Sequence, residues 1–206
     1  VLEDFAFPIP DVFSDAEAAP LLCAGAIGWR SLRLAHLFDG EPLGLTGFGA
    51  SAHLVLQLSR HLYPRSEIFV FARSERERQF ALDLGARWAG DTSEKSPQKL
   101  TAIIDTTPAW KPVVCALENL APGARLVINA IRKEEADKDQ LLKLDYPPHL
   151  WQEKEIKSVA NVARRDIEEF LALAAQIPII PEVEEYPLAD ANRALAELKA
   201  GIIRGA

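Results

Sequence analysis

A glycine turn between an apolar strand and an apolar helix is the feature that most constrains the fold of this chain. The turn reads Gly47-x-Gly49-x-x-Ala52, with a short strand pattern at residues 43–46 before it and a helical pattern up to residue 62 after it. Glycines permit a tight turn and let backbone N–H groups approach an anion at the helix N-terminus. A turn that serves packing alone is the alternative, but the position between strand and helix favours nucleotide binding.

The rest of the chain alternates in the same way between strand and helix patterns. Residues 67–71, 101–105 and 125–129 read as strands, and residues 75–84 and 113–120 read as helices. Such alternation predicts an α/β fold, a Rossmann-type doubly wound parallel sheet with helices on both faces. A length of 206 residues with 49% hydrophobic content allows one main domain and a smaller appended part.

Composition excludes several classes of function. A net charge of −7 gives no basic surface for nucleic acid, and no apolar run is long enough to cross a membrane. Two cysteines, Cys23 and Cys115, are too few for a disulfide framework, so we expect a cytoplasmic protein. The charged residues 132–140 predict a solvated surface loop.

The start of the chain reads like the interior of a longer protein. It has no signal-peptide pattern, and the sequence contains no Met. We therefore expect a fragment, a processed product or a shortened form.

The end of the second strand indicates which dinucleotide is bound. A carboxylate there would accept a hydrogen bond from the free 2′-hydroxyl of NAD, but this strand is followed by Ala72, Arg73 and Ser74. A guanidinium and a hydroxyl suit a 2′-phosphate, which favours NADP while leaving NAD possible. In the alternative, Arg73 only begins a solvated helix together with Arg76 and Arg78.

A zinc site cannot be built from the spacing of this chain alone. Cys23 lies among apolar residues, where a buried structural cysteine is the more common case. The four histidines show no ligand spacing with it or with one another.

Three separate motifs resemble the zinc-dependent alcohol dehydrogenases of the medium-chain dehydrogenase/reductase family. They are residues 18–25 (AAPLLCAG), the glycine turn with His53, and residues 186–192 (YPLADAN), followed by a closing match at residues 198–205. The resemblance covers essentially the whole chain. It departs from the family at residues 50–52 (ASA), which replace a version richer in glycine.

The resemblance implies site residues and a partial metal site. It assigns Cys23 as one of three protein ligands of a catalytic zinc, with the other ligands and the proton relay in an N-terminal domain that would precede this chain. The implied nicotinamide end lies near residues 159–161. The full set of cofactor contacts, from the glycine turn, the ribose end and the resemblance, is Gly47, Phe48, Gly49, Ala50, Ser51, Arg73, Ser74, Thr106, Asn129, Ala130, Asn161 and Arg204.

These expectations define a function and its rivals. We expect the cofactor-binding part of an enzyme that transfers hydride between an alcohol or aldehyde and NADP(H), inactive as this fragment, and paired as a homodimer or tetramer through the cofactor domain. Residues 1–20 would end the catalytic domain and enter the fold, 21–160 would bind NADP, and 161–206 would return toward the catalytic domain. The alternatives are a zinc-free quinone or enoyl reductase of the same fold and a non-catalytic NADPH-binding module.

Overall fold

The computed structural model describes residues 2–177 and 179–206. Val1, in the expected first segment, and Pro178, in the expected last one, lie outside the described residues. The strands are β1 (Leu43–Thr46), β2 (Ile68–Phe71), β3 (Trp88–Gly90), β4 (Leu100–Asp105), β5 (Leu120–Ile128) and β6 (Glu155–Ser158). The α-helices are α1 (Asp15–Pro20), α2 (Ala26–Ala35), α3 (Ala50–Leu62), α4 (Glu75–Asp83), α5 (Lys111–Asn119), α6 (Tyr146–His149), α7 (Arg164–Ala174) and α8 (Ala191–Ala200).

The six strands form one parallel sheet in the order β3-β2-β1-β4-β5-β6. The chain winds outward from β1 to β3 and then crosses to β4 on the other side of β1. This is the doubly wound order of dinucleotide-binding sheets, and it confirms the predicted fold class. Ligands of such sheets bind at the carboxyl ends of the strands where the direction of winding changes, and here that point lies between β1 and β4.

Helices cover both faces of the sheet, so the strands are apolar on both sides. On β2, Val70 contributes to the core layer beneath α2, α3 and α7, while Phe69 and Phe71 contribute to the opposite layer beneath α5. All four residues of β1 and all four of β2 are buried. This two-sided burial explains why the strand patterns are continuously apolar rather than alternating.

The helical segment that precedes the sheet is divided at Pro20. Helix α1 starts with a capping box, in which Ser14 Oγ accepts from the Glu17 N–H at 3.3 Å and Glu17 Oε2 accepts from the Ser14 N–H at 2.8 Å. It ends at Pro20, and a π-helical turn, Leu21–Gly25, leads into α2. Proline lacks the N–H that a regular helix would use, which accounts for the irregular turn at this position.

Helix α7 packs on α2 rather than standing apart from the sheet. Asp166 is buried and accepts from Arg30 at 2.5 Å and Arg33 at 3.4 Å, and it also caps α7 through the Ala163 N–H at 2.8 Å. Phe170 of α7 is fully buried in the same core layer as α2. The segment after residue 160 therefore begins as part of the sheet-covering layer.

The charged segment 132–140 differs from the predicted solvated loop at two positions. The Lys133 side chain is only 9% exposed and pairs with the fully buried Asp105. Asp137 Oδ2 accepts from the backbone N–H groups of Trp110 and Lys111, both at 2.8 Å, at the start of α5. The loop is drawn onto the sheet because buried groups at the ends of β4 and α5 need partners of opposite charge or hydrogen-bond acceptors.

In the described part of the chain, no helix combines the length and the apolar character required to cross a membrane.

Candidate cofactor-binding site

An open cleft of about 580 Å³ lies at the carboxyl ends of the central strands. Its size falls within the range of ligand pockets in proteins. From the sequence-predicted set it is lined by Gly47, Phe48, Gly49, Ala50, Ser51, Arg73, Thr106 and Asn129. The other lining residues are Glu77, Thr92, Thr107, Pro108, Ala109, Pro112, Glu134 and Lys199.

The two glycines of the turn have different physical roles. Gly47 has φ +78°, and a Cβ there would lie 2.8 Å from Thr107 Cγ2 and 2.9 Å from Thr106 Oγ1. The fold itself therefore requires glycine at this position. At Gly49 a Cβ would meet no atom within 4 Å. The space above Gly49 is available to a ligand that approaches the backbone.

Helix α3 begins directly at this open space. Its N-cap residue is Gly49, and no side chain caps the first turn. The first N–H groups of an α-helix have no partner within the helix, and the helix dipole favours negative charge there. A pyrophosphate therefore fits this helix N-terminus.

Ser51 and Asn129 connect the turn to the entry helix. Ser51 Oγ donates to the Ala24 carbonyl oxygen at 3.0 Å and accepts from Asn129 Nδ2 at 3.3 Å. Asn129 Nδ2 also donates to Ser31 Oγ at 2.8 Å. These bonds hold the segment that contains Cys23 against the glycine turn, so both predicted residues have a structural role beside the cleft.

The expected ribose end of the cleft, next to Arg73, follows β2. Arg73 lines the cleft and is exposed. The Ser74 side chain does not line it, because it forms the capping box of α4 with Glu77, accepting from the Glu77 N–H at 3.2 Å and donating to Glu77 Oε2 at 2.7 Å. Of the two predicted 2′-phosphate ligands, Arg73 is the one that faces the cleft.

Three further predicted contacts lie outside the cleft lining. Ala130 follows β5 and is half-buried, and Asn161 is exposed with φ +61°. Arg204 stacks its guanidinium 4.1 Å from the centre of the Phe80 ring and lies 3.4 Å from Glu182. The structure therefore brings together the glycine turn and the strand ends, but not these three residues.

Cys23 lies in the π-helical turn with its thiol exposed and unpaired by any disulfide. Among residues 2–177 and 179–206, no three or more His, Cys, Asp or Glu side chains are grouped closely enough to hold a metal ion. The described residues therefore do not make a zinc site by themselves. Cys23 could supply one ligand, and the remaining ligands would have to come from elsewhere.

Sequence reasoning missed a buried ion pair below the cleft. Lys133 Nζ contacts Asp105 and donates to the carbonyl oxygens of Thr107 at 2.8 Å and Ala109 at 3.0 Å. Asp105 also accepts from Thr46 Oγ1 at 2.5 Å and Thr107 Oγ1 at 2.8 Å. A polar residue that ends an apolar strand was a signal for Asp105, but nothing singled out Lys133 within its charged run.

His53 is a second residue whose role the sequence did not show. Its Nδ1 lies 3.1 Å from the Gly49 carbonyl oxygen, and its Nε2 accepts from the Glu182 N–H at 3.3 Å. These partners assign the Nδ1–H neutral tautomer. Burial lowers the pKa of His53, which keeps the ring neutral. The imidazole thus joins the glycine turn to the C-terminal segment.

A switch-point cleft with a glycine turn, an uncapped helix N-terminus and a cation after β2 is typical of the class of dinucleotide-binding domains. A curated relative agrees with this class. The chain is 44% identical over 202 residues to the probable alcohol dehydrogenase AdhA of Mycobacterium tuberculosis (strain CDC 1551 / Oshkosh), covering 98% of this chain and 56% of that protein. The chain thus spans about half the length of this relative.

Solved structures share the fold. The cinnamyl alcohol dehydrogenase SbCAD4 of Sorghum bicolor superposes with a TM-score of 0.80 at 20% identity, covering 98% of this chain and 57% of that one. A CAD from Helicobacter pylori complexed with NADP(H) gives 0.77 at 21% identity, covering 92% and 53%. No family model matches the sequence. The resemblance to alcohol dehydrogenases is confirmed: over the part that it spans, the chain is a homologue of a probable alcohol dehydrogenase, and it shares the fold of the solved alcohol dehydrogenases.

Proposed function

We propose that this chain is the cofactor-binding part of an alcohol dehydrogenase that transfers hydride between an alcohol or aldehyde and NADP(H). The observation that carries the proposal is the cleft at the switch point, where the glycine turn, the N-terminus of α3 and Arg73 meet. The 44% identity to an alcohol dehydrogenase supports the reaction class. The NADP(H) bound to the structural relative from Helicobacter pylori supports the cofactor.

The choice of NADP over NAD rests on charge at the ribose end. No acidic residue directly follows β2, where NAD enzymes place a carboxylate on the ribose hydroxyls. Arg73 lines the cleft there and can form charge-assisted hydrogen bonds to a 2′-phosphate. Glu77 also faces the cleft, but its carboxylate is bound by Ser74. Arg73 is therefore the group on this strand end that distinguishes the two cofactors.

The chain's own residues bind and orient the dinucleotide. Gly49 leaves room for the pyrophosphate, and the first N–H groups of α3 donate to it. Thr106 and Asn129 lie at the ends of β4 and β5, where the cleft continues toward the expected nicotinamide end near residues 159–161. When bound, the nicotinamide supplies or accepts the hydride. We propose Cys23 as the zinc ligand that this chain contributes to the intact enzyme.

Titration of the 206-residue chain with NADPH and NADH, followed by nicotinamide fluorescence, tests the proposal. We expect NADPH to bind more tightly than NADH. Arg73→Ala should weaken NADPH binding by about tenfold, which corresponds to the loss of one charge-assisted hydrogen bond, and should change NADH binding little. Turnover of alcohols by the chain alone is not expected, because the described residues lack a complete metal site. Binding of neither cofactor would overturn the proposal.

A further inference from the structure

A second cation faces the ribose end of the cleft from the opposite end of the sequence. Lys199, in the last turn of α8, lines the same cleft as Arg73, Glu77 and Thr92. We propose that Lys199 is a specificity-determining residue which, together with Arg73, binds the 2′-phosphate of NADP(H). This inference rests on the proposed function and extends the phosphate site from the β2 end to the C-terminal helix.

The C-terminal segment is fixed against the ribose end by contacts of the residues that follow Lys199. Arg76 Nη1 donates to the Ile202 carbonyl oxygen at 2.5 Å. At Gly201 a Cβ would lie 3.5 Å from Arg73 Nη2, and the φ of +69° turns the chain at the end of α8. Arg204 stacks on Phe80 of α4. The end of α8 is therefore held beside Arg73.

The charges at this end favour a dianion. Within residues 2–177 and 179–206, Arg73 and Lys199 form no salt bridge and no side-chain hydrogen bond, whereas the nearby Arg76 and Arg204 are bound to protein groups. Of the two carboxylates that line the cleft, Glu77 follows Arg73 in the first turn of α4 and is already bound by Ser74, whereas Glu134 lies in the loop after β5. Two cations without partners facing one cleft repel each other, and a 2′-phosphate between them would relieve that repulsion.

A lysine in the last turn of a helix also has a simpler role, because it complements the helix dipole. The two roles predict different results. Complementing the dipole would affect stability alone, whereas contact with the phosphate would affect ligands that carry a 2′-phosphate and spare those that lack it.

The test is calorimetric titration of the 206-residue chain with adenosine 2′,5′-bisphosphate and with adenosine 5′-monophosphate. Lys199→Gln removes the charge and Lys199→Arg keeps it. Lys157→Gln is the matched control, because Lys157 is also exposed but lies on β6 and does not line the cleft. Thermal melting of each variant shows whether the fold is retained.

We expect Lys199→Gln to weaken binding of the bisphosphate by about tenfold and to leave the affinity for the monophosphate within about twofold. The salt dependence of bisphosphate binding should also become less steep. Lys199→Arg and Lys157→Gln should bind like the unaltered chain. If Lys199→Gln binds the bisphosphate normally while Arg73→Ala does not, the inference is overturned and the proposed function stands. If the unaltered chain binds neither nucleotide, both fail.

Discussion

Asp105 and Lys133 show how a single buried charge can determine the shape of a loop. The carboxylate is fully buried at the end of β4, and Lys133 is the cation that compensates it. A buried ion pair contributes little net stability, but removing one partner leaves an uncompensated charge in a poorly solvating interior. The Lys133 contacts also fix the carbonyl groups of Thr107 and Ala109, which border the cleft.

Lys133→Met should therefore destabilise the protein by about 3–5 kcal/mol. Urea unfolding followed by circular dichroism measures this change. The double variant Asp105→Asn with Lys133→Met should recover part of the loss, because it removes both charges together. If Lys133→Met were as stable as the unaltered protein, the Asp105–Lys133 ion pair would not be needed for stability.

The buried His53 should make the free energy of unfolding depend on pH. Burial lowers its folded-state pKa below the ordinary value of 6.5, so the unfolded chain binds the proton more readily. Its contribution to stability is complete above about pH 6.5 and is lost as the pH falls through the lowered pKa. Protonation would also place an N–H against the Glu182 N–H, which now donates to that nitrogen.

His53→Asn should flatten the fall of the free energy of unfolding between about pH 7 and pH 5. Asn keeps a donor near the position of Nδ1. His61→Asn is the control, because His61 is exposed on the same helix. Equal pH profiles for the protein and for His53→Asn would contradict a neutral buried imidazole.

At the scale of elements, two identical capping boxes allow a matched comparison. Ser14 caps α1 and Ser74 caps α4 with the same set of hydrogen bonds. Replacing either serine by alanine should cost about 1 kcal/mol of stability, measured by thermal unfolding. Only Ser74→Ala should also weaken NADPH binding, because α4 carries the ribose end of the cleft. If Ser14→Ala weakened NADPH binding equally, the weaker binding would result from lost stability and not from the position of α4.

Local sequence signals predicted the elements well. The strand at residues 43–46 matches β1. Helix α3 starts at Ala50, inside the predicted turn of residues 47–52, because an uncapped first turn has no sequence marker. The spacing of hydrophobic residues and the residue types of turns are local features, so helices, strands and turns can be predicted directly from the sequence.

The contacts that complete the site were not predictable in this way. Lys133 reaches a carboxylate 28 residues away, and His53 meets the backbone of Glu182 129 positions later in the chain. Lys199 comes to the end of the cleft beside β2 because the chain that follows α8 contacts Arg76 and Phe80 of α4. Such pairings depend on the winding of the whole sheet, and a single sequence carries no local signal for them.

At the scale of the whole molecule, the sheet order brings distant segments to one cleft. The turn after β1, the end of β2, the loop after β4 and the end of α8 meet there, although they span residues 47–199. The covering helices leave the carboxyl ends of the strands open at the switch point. This opening is the proposed dinucleotide site.

Substitution of Gly49 is the sharpest test of this dinucleotide site, because the position separates cofactor binding from folding. Its φ of −111° suits any residue, and an added Cβ meets no protein atom within 4 Å. We expect Gly49→Ala to weaken NADPH by about tenfold and Gly49→Val to weaken it further, as measured by calorimetric titration, with little change in melting temperature. NADPH binding by Gly49→Val as tight as that of the unaltered chain would contradict a cofactor seated on this turn.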